Sequence, residues 1–428
     1  MGFFDRDQAG ILLVPRLGKM AVAINTPSLL FNPMISSSLS GRLDLLRWFA
    51  AFMVVLSHIR PLLFVEYSQV ENQGSVAIKL LYFVTGFGHE AVIVFFVISG
   101  LLVGGVSAEK YAERRFSGKT YLVHRFARIY LVFFPALLAG YLLDLVGSTY
   151  LDASGLYSHT SQYRFSADAL DRMNPVIALG NSLMLQEILV PALGSNGPLW
   201  SLAYEWWYYI LFFCALQLLS SRACPGRMMV YGGLLAALLV LLPLDILLWF
   251  LIWLTGAAVI LGSKLHWRVP PLVGYGLFMA ALVWSRLDAI SNDVPATGEL
   301  LLRDCILAAG CFMLFVSLNQ NHIQSTARKS LNAPLAEFSY TLYLVHLPFL
   351  LFAVAMMDVV FDVPFSGQPT GAGMFYLAAL LAAIYLYAYA FSLLTERYTD
   401  QFRRYLSQRL LRRGFVPLPD TKRPEITK

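Results

Sequence analysis

A histidine and an arginine lie at a spacing that places them on one face of an apolar helix. The segment Arg42–His58 reads RLDLLRWFAAFMVVLSH, and Arg47 and His58 are eleven positions apart. At 3.6 residues per turn the two side chains share a face, roughly 16 Å apart along the axis. A histidine can take a proton from a hydroxyl near neutral pH, which is the step that acyl transfer to an alcohol requires. A helix-packing histidine bonded to a neighbour is the alternative, and the spacing alone leaves both open.

Charged side chains also occur in two later apolar segments, where their cost in the bilayer makes them functional candidates. Arg125 and Arg128 are three positions apart, so they project together from one helix face. They either clamp phosphate groups or anchor the helix against lipid headgroups. Glu205 lies among the aromatics of PLWSLAYEWWYY. That sequence fits either of two roles for Glu205, a structural carboxylate or part of an acidic sugar-binding site lined by aromatic side chains.

Four further residues are possible site residues. His346 precedes Pro348, where a kink is expected, and it fits a structural role as well as a functional one. Ser99 is followed by a glycine, and a Ser-Gly pair in a membrane helix favours close helix packing. Glu90 opens the same segment, and Trp200 opens the aromatic one. No group of His, Asp and Glu has the spacing of metal ligands, so no metal site is expected.

Long apolar helices must position these residues, and the composition predicts such helices. Of the 428 residues, 58% are hydrophobic and 14% are charged, whereas soluble domains carry about 25% charged residues. Apolar runs of about 20 residues recur, each able to cross a hydrocarbon core as a helix. The fold class is therefore all-α integral membrane. The net charge of +6 is assigned to cytoplasmic loops, and no nucleic-acid partner is expected.

Ten apolar segments predict about ten transmembrane helices. The connections 287–299 and 358–372 contain no Lys or Arg, whereas the alternate connections are basic. By the positive-inside rule both termini are cytoplasmic. In this orientation Arg47 lies at the cytoplasmic edge and Glu205 about two turns below the outer surface. The segments lie at about 45–65, 90–107, 126–147, 199–219, 228–243, 245–262, 270–286, 301–319, 336–357 and 373–395.

The longest predicted external loop spans 148–198. Its apolar stretch 176–193 is interrupted by polar residues and is interpreted as partly buried or re-entrant. We expect four aromatic side chains of this loop to be available to a glycan, namely Tyr150, Tyr157, His159 and Tyr163. The chain as a whole is divided into a mobile cytoplasmic lead-in (1–43), a ten-helix membrane domain (44–397) and a basic cytoplasmic tail (398–428).

Five motifs together resemble the acyltransferase-3 family of bacterial membrane proteins, which O-acylate surface polysaccharides, lipopolysaccharide and related glycans. They are Arg-x10-His in the first segment, FFVISG in the second, RFARIY at the third, PLWSLAYEWWYY in the fourth and SYTLYLVHLP near the end. Each motif is loose, but their ordered occurrence from Arg42 to Arg397 is specific. Glu396-Arg397-Tyr398 stands where the family has Glu-x-Pro.

The resemblance implies a multi-pass enzyme of the bacterial inner membrane that moves an acyl group, with acetyl expected, from acyl-coenzyme A to a glycan hydroxyl. His58 is then the catalytic base and Glu205 a second catalytic residue. Arg47, Arg125 and Arg128 are then the donor-binding residues. The expected partners are acyl-coenzyme A, a glycan or lipid-linked sugar acceptor, and membrane lipids. No bound cofactor is expected, because acetyl-coenzyme A is a donor substrate.

A transporter or flippase for a glycan or a lipid-linked intermediate is the alternative function. Such a protein requires a pathway lined by His58, Glu205 and His346, and it has no use for a thioester donor. Binding of coenzyme A to the purified protein separates the two functions.

Overall fold

The computed structural model describes residues 35–158, 169–221, 224–265, 268–291, 297–321 and 332–411. Within these ranges the chain is largely helical and contains no strand. Helices satisfy every backbone polar group internally, as apolar segments in lipid require. The all-α membrane fold predicted from composition is therefore confirmed.

Sixteen α-helices lie in the described ranges, and they are numbered here in chain order. They are α1 Ser37–Leu63, α2 Val76–Val84, α3 Gly88–Ser99, α4 Val106–Ala112, α5 Gly118–Tyr150, α6 Pro175–Ser182, α7 Trp200–Ser220, α8 Pro225–Leu241, α9 Leu244–Ala257, α10 Val259–Gly262, α11 Pro271–Ser291, α12 Thr297–Gln320, α13 Ala333–Glu337, α14 Ser339–Phe361, α15 Gly371–Leu394 and α16 Thr399–Leu410.

All ten predicted apolar segments are helical over most of their length. Eight helical stretches of the described chain are long and apolar enough to cross a membrane. The helices α1 and α8 are not among the eight, and α8 has only 17 residues. The count of ten spans and the cytoplasmic placement of the termini therefore remain predictions. The eight stretches are Val76–Ala112, Gly118–Tyr150, Gly197–Ser220, Leu244–Gly262, Pro271–Ala289, Gly298–Gln320, Ser339–Phe361 and Gly371–Leu410.

The first helix begins ahead of the predicted domain boundary at residue 44. The hydroxyl of Ser36 accepts a hydrogen bond from the backbone N–H of Leu39 at 3.2 Å, which caps the first turn of α1. Ser36 also bonds to the end of α12, where its hydroxyl donates to the Leu318 carbonyl at 3.1 Å. The start of α1 is therefore fixed by both a cap and a tertiary contact. The remainder of the predicted lead-in, residues 1–34, lies outside the described ranges.

The second apolar segment packs closely against α9. A π-helical turn, Gly100–Gly105, joins α3 to α4, and such turns bulge one side of a helix. A Cβ atom on Gly100 would collide with the carbonyl oxygen of Trp253 in α9. A Cβ atom on Gly256 would likewise collide with the carbonyl oxygen of Val97. The two backbones therefore touch, as the Ser-Gly pair predicts.

The helix α14 lies at the centre of the fold, where it packs against α1, α5 and α15. Pro348 lacks an N–H, so the carbonyl of Leu344 loses its usual intrahelical partner. The side-chain amide of Asn196 donates to that carbonyl at 2.9 Å. The kink predicted at Pro348 is thereby tied to the chain just before α7, close to His346.

A buried amide and a buried carboxylate fix the described part of the predicted external loop near α7. Asn181 of α6 is fully buried, donates to the carbonyls of Ile177 and Pro191, and accepts from the N–H of Leu193. Asp144 of α5 accepts from both the N–H and the hydroxyl of Ser195, at 2.8 and 2.7 Å. These bonds position the residues that lead into α7.

The aromatic side chains of this loop differ in their exposure. Tyr150 is 75% exposed, as expected for a glycan contact. Tyr157 is instead 1% exposed and packs against Gly147, so it is not available on the surface. Burial raises the pKa of the Tyr157 phenol above its ordinary value. His159 and Tyr163 lie outside the described residues.

Candidate active site

A cavity of about 1070 Å³ collects most of the charged residues that the sequence singles out. Arg47, Arg125, Arg128 and Glu205 all line it, and Ser99 lies on the same wall. The cavity is lined by residues of α1, α3, α5, α7, α13, α14, α15 and α16. Its other polar lining residues include Asp44, His124, Ser201, Tyr209, Glu337, Tyr340, Tyr343, Glu396, Arg397, Asp400 and Arg403.

The two arginines of α5 have different surroundings. The guanidinium of Arg128 lies 2.9 Å from the carboxylate of Glu396 and 5.2 Å from the ring centroid of Tyr340. The guanidinium of Arg125 lies over the ring of Tyr209 at 5.8 Å. Its buried Nε has no hydrogen-bond partner among the described residues. Arg128 is therefore already neutralised, whereas Arg125, which also lines the cavity, retains a buried donor without a partner among the described residues.

Arg47 of α1 is held near the carboxylate of Asp44, 4.0 Å away. Arg128, Glu396 and Glu205 are also within electrostatic range of its guanidinium. The predicted topology places Glu205 near the outer surface and Arg47 at the cytoplasmic edge, yet both line one cavity. The packing of the helices thus brings Glu205 nearer to Arg47 than the predicted topology implies.

A chain of hydrogen bonds ends at Glu205. The hydroxyl of Tyr209, one helical turn along α7, donates to the Glu205 carboxylate at 2.5 Å. Because that proton is committed, Ser99 must donate to the Tyr209 oxygen, which lies 3.1 Å from the serine hydroxyl. Trp253 in turn donates its indole N–H to the Ser99 hydroxyl at 3.1 Å. The hydrogen bonds therefore all point in one direction, from the donor Trp253 to the final acceptor Glu205, and each bond polarises the next.

His58 and His346 lie together but do not line the cavity. Nε2 of His346 is 3.3 Å from Nδ1 of His58, and the ring centroids are 5.0 Å apart. The ring of Tyr343, which does line the cavity, lies 5.7 Å from the ring of His346. The Tyr343 hydroxyl is fixed by Ser201 at 2.6 Å and donates to the Pro198 carbonyl at 2.9 Å. Tyr343 therefore links the cavity wall to the histidine pair.

Besides His346, two more of the possible site residues, Glu90 and Trp200, do not line the cavity. Glu90 is buried and accepts a hydrogen bond from the hydroxyl of Ser285 in α11, at 3.2 Å. Trp200 packs its ring edge-on against Phe96 and Tyr204. Within the described ranges no three His, Cys, Asp or Glu side chains form a cluster able to hold a metal.

Sequence reasoning missed several residues of the cavity. Tyr209 could have been found, because it lies four positions after Glu205 and so on the same helix face. Glu396 and Arg397 stand at a family motif, but nothing in the sequence pairs Glu396 with Arg128. Arg403 was assigned to the tail, and only the packing of α16 against α5 brings it to the cavity.

Comparisons with known proteins identify the family of the chain. The family model described as an acyltransferase domain matches residues 40–393. Acyltransferase MdmB of Streptomyces mycarofaciens is 25% identical over 368 residues, which cover 79% of this chain and 86% of that protein. No solved structure gives a significant match. The matched region includes the predicted donor-binding arginines, Glu205 and both histidines of the pair, and the chain belongs to the acyltransferase-3 family of membrane acyltransferases.

Proposed function

We propose that this membrane acyltransferase moves an acetyl group from acetyl-coenzyme A to a hydroxyl of a surface or exported glycan, at the bacterial inner membrane. The observation that carries the proposal is the arginine-lined cavity, which connects through Tyr343 to the pair formed by His58 and His346. The histidine pair suits a proton transfer from a hydroxyl, a step for which a transporter has no need.

The cavity suits a large anionic donor. Its volume of about 1070 Å³ lies at the upper end of the roughly 300–1,000 Å³ found for small-molecule sites. Arginine binds phosphate through paired N–H groups in a fixed geometry. Of the three predicted donor-binding arginines, Arg125 and Arg47 are the ones proposed here to bind phosphate, because the charge of Arg128 is already matched by Glu396. Coenzyme A supplies the phosphates that such a cavity would bind.

The proposed reaction is a direct transfer. His58 takes the proton of the acceptor hydroxyl at Nε2 while the hydroxyl oxygen attacks the thioester carbonyl carbon. The new C–O bond forms, the C–S bond breaks, and the thiolate of coenzyme A leaves. The proton then passes from His58 to the thiolate, so the products are an acetyl ester and free thiol. The pantetheine arm would carry the thioester from the arginines to His58, a distance along α1 of roughly 16 Å between Arg47 and His58.

Binding of coenzyme A tests this proposal against the transporter alternative. The purified full chain in lipid nanodiscs is expected to bind coenzyme A, and Arg125→Ala is expected to weaken that binding. With acetyl-coenzyme A as substrate, the donor KM of Arg125→Ala or Arg47→Ala should rise about 10- to 100-fold, with a smaller change in kcat. The reason is that each variant removes charge-assisted bonds made equally in ground and transition states.

Arg227→Ala is the matched control, because Arg227 is exposed on α8 and does not line the cavity. It should leave the donor KM unchanged. The proposal fails if the wild-type chain does not bind coenzyme A, or if Arg125→Ala and Arg227→Ala behave alike.

A further inference from the structure

The contact between the two histidines assigns a role to His346, which the proposed reaction does not otherwise use. His346 is fully buried on α14 and meets His58 of α1 across the helix interface. We propose that His346 is a positioning residue that acts with the Val54 carbonyl to hold the proton of His58 on Nδ1, and that stabilises the protonated form of His58. This inference rests on the proposed function, because it takes His58 as the base.

Two backbone carbonyls determine where the ring protons lie. Nδ1 of His58 is 2.8 Å from the Val54 carbonyl, and Nδ1 of His346 is 2.7 Å from the Tyr343 carbonyl. A carbonyl oxygen only accepts hydrogen bonds, so each Nδ1 must carry a proton. The opposite tautomers would place a nitrogen lone pair against an oxygen lone pair at both positions.

The third contact fits the same proton positions. With its proton on Nδ1, neutral His346 presents the lone pair of Nε2, 3.3 Å from the N–H of His58. The N–H of His58 is therefore shared between the Val54 carbonyl and His346. The other nitrogen of His58, Nε2, then carries the lone pair that the reaction requires of a base.

The same contact strengthens as the reaction proceeds. When Nε2 of His58 takes the hydroxyl proton, the ring becomes an imidazolium and its Nδ1–H becomes a charged donor. Hydrogen bonds from charged donors are about twice as strong as neutral ones. His346 accepts that stronger bond and keeps its own proton on Nδ1, so no proton passes to it. The proton later leaves Nε2 for the thiolate, which restores the starting state.

The position of His346 is itself constrained from two sides. Asn196 binds the carbonyl of Leu344, which Pro348 leaves without an intrahelical partner. Tyr343, one turn before, is bonded through its hydroxyl to Ser201 and Pro198. These contacts fix the turn of α14 that carries His346, as a positioning role requires.

The wild-type tautomer is the first test. The full chain, labelled with 15N-histidine and held in nanodiscs, gives ring nitrogen resonances by solid-state NMR, and the His58 signals are those lost in His58→Ala. At neutral pH we expect His58 to carry its proton on Nδ1 with Nε2 bare. A proton on Nε2 overturns the inference, and this measurement needs no variant at position 346 to fold.

Kinetics provide the second test. His346→Phe keeps an aromatic ring but removes the acceptor, so kcat should fall about 10- to 100-fold while the donor KM stays within about twofold. The Nδ1 resonance of His58 should then shift, because its N–H loses one of two acceptors and keeps only the Val54 carbonyl. His346→Gln retains an acceptor oxygen near the position of Nε2 and should recover most of the rate. Equal kcat values for wild type and His346→Phe, or equal losses in both variants, overturn the positioning role.

The outcomes separate this inference from the proposed function. If His58→Ala is inactive but His346→Phe keeps the wild-type kcat, only the role of His346 is overturned. If His58→Ala is fully active, His58 is not the base and both assignments fall.

Discussion

Replacing His58 with alanine is expected to lower acetyl transfer by at least about 100-fold, because a positioned general base contributes about 10²- to 10⁴-fold to such reactions. The loss should appear in kcat, since the imidazole acts on the proton that moves in the transition state. His58 is only half-buried and its neighbours on α1 are small or aliphatic, so the variant should insert and accumulate normally. Turnover of acetyl-coenzyme A by purified protein with a glycan acceptor measures the effect.

Ser57→Ala is the matched control for this experiment. Ser57 precedes His58 on α1, and its hydroxyl donates to the same Val54 carbonyl, at 2.7 Å. Removing it perturbs the same turn of helix without removing a base, so activity should change by less than about threefold. Near-normal acetylation by His58→Ala would remove His58 from the mechanism.

Replacing Glu205 with glutamine is expected to lower kcat about 10- to 100-fold with little loss of protein. Glutamine keeps an oxygen that can accept the bond from Tyr209, so the chain of bonds from Trp253 can persist. The variant instead removes a negative charge from a cavity that contains Arg47 and Arg125. Acetyl-coenzyme A would then meet an excess of positive charge in the cavity. It would bind more tightly than in the wild type but would be oriented less well.

Protein yield decides how this variant is interpreted. Glu299→Gln makes the same chemical change at an exposed position near the start of α12, outside the cavity, and should be silent. If Glu205→Gln lowers the yield of folded protein while its kcat per folded molecule stays normal, the carboxylate is structural and its catalytic assignment is wrong.

The helical segments could be predicted because their signal is local. An apolar run of the right length must be helical in lipid, and each of the ten runs is. The placement of Arg47, Arg125 and Glu205 in one cavity was harder to predict. It depends on how α1, α5 and α7 pack, and helical spacing describes only one helix at a time. The family motifs, not the spacing, brought these residues together in advance.

Other features could not be predicted because they arise from tertiary contacts. Tyr157 lies in the predicted external loop 148–198, where an exposed side chain is expected, yet the fold buries it against Gly147. The sequence marks Glu396 only as part of a motif. In the structure it neutralises Arg128 and accepts two hydrogen bonds from Thr341, at 3.2 and 2.7 Å. Neither contact produces a periodic pattern in the sequence from which it could be predicted.

The central claim is that the chain adds acetyl groups to a glycan, and the mass of that glycan tests it most directly. Surface glycans are isolated from cells that carry the gene, from cells that lack it, and from cells that express His58→Ala. Mass spectrometry should show a gain of one acetyl unit per modified repeat in the first cells alone, and mild alkali should remove it as an ester. Identical glycan masses in all three cell types, with the protein present in the membrane, would contradict the account.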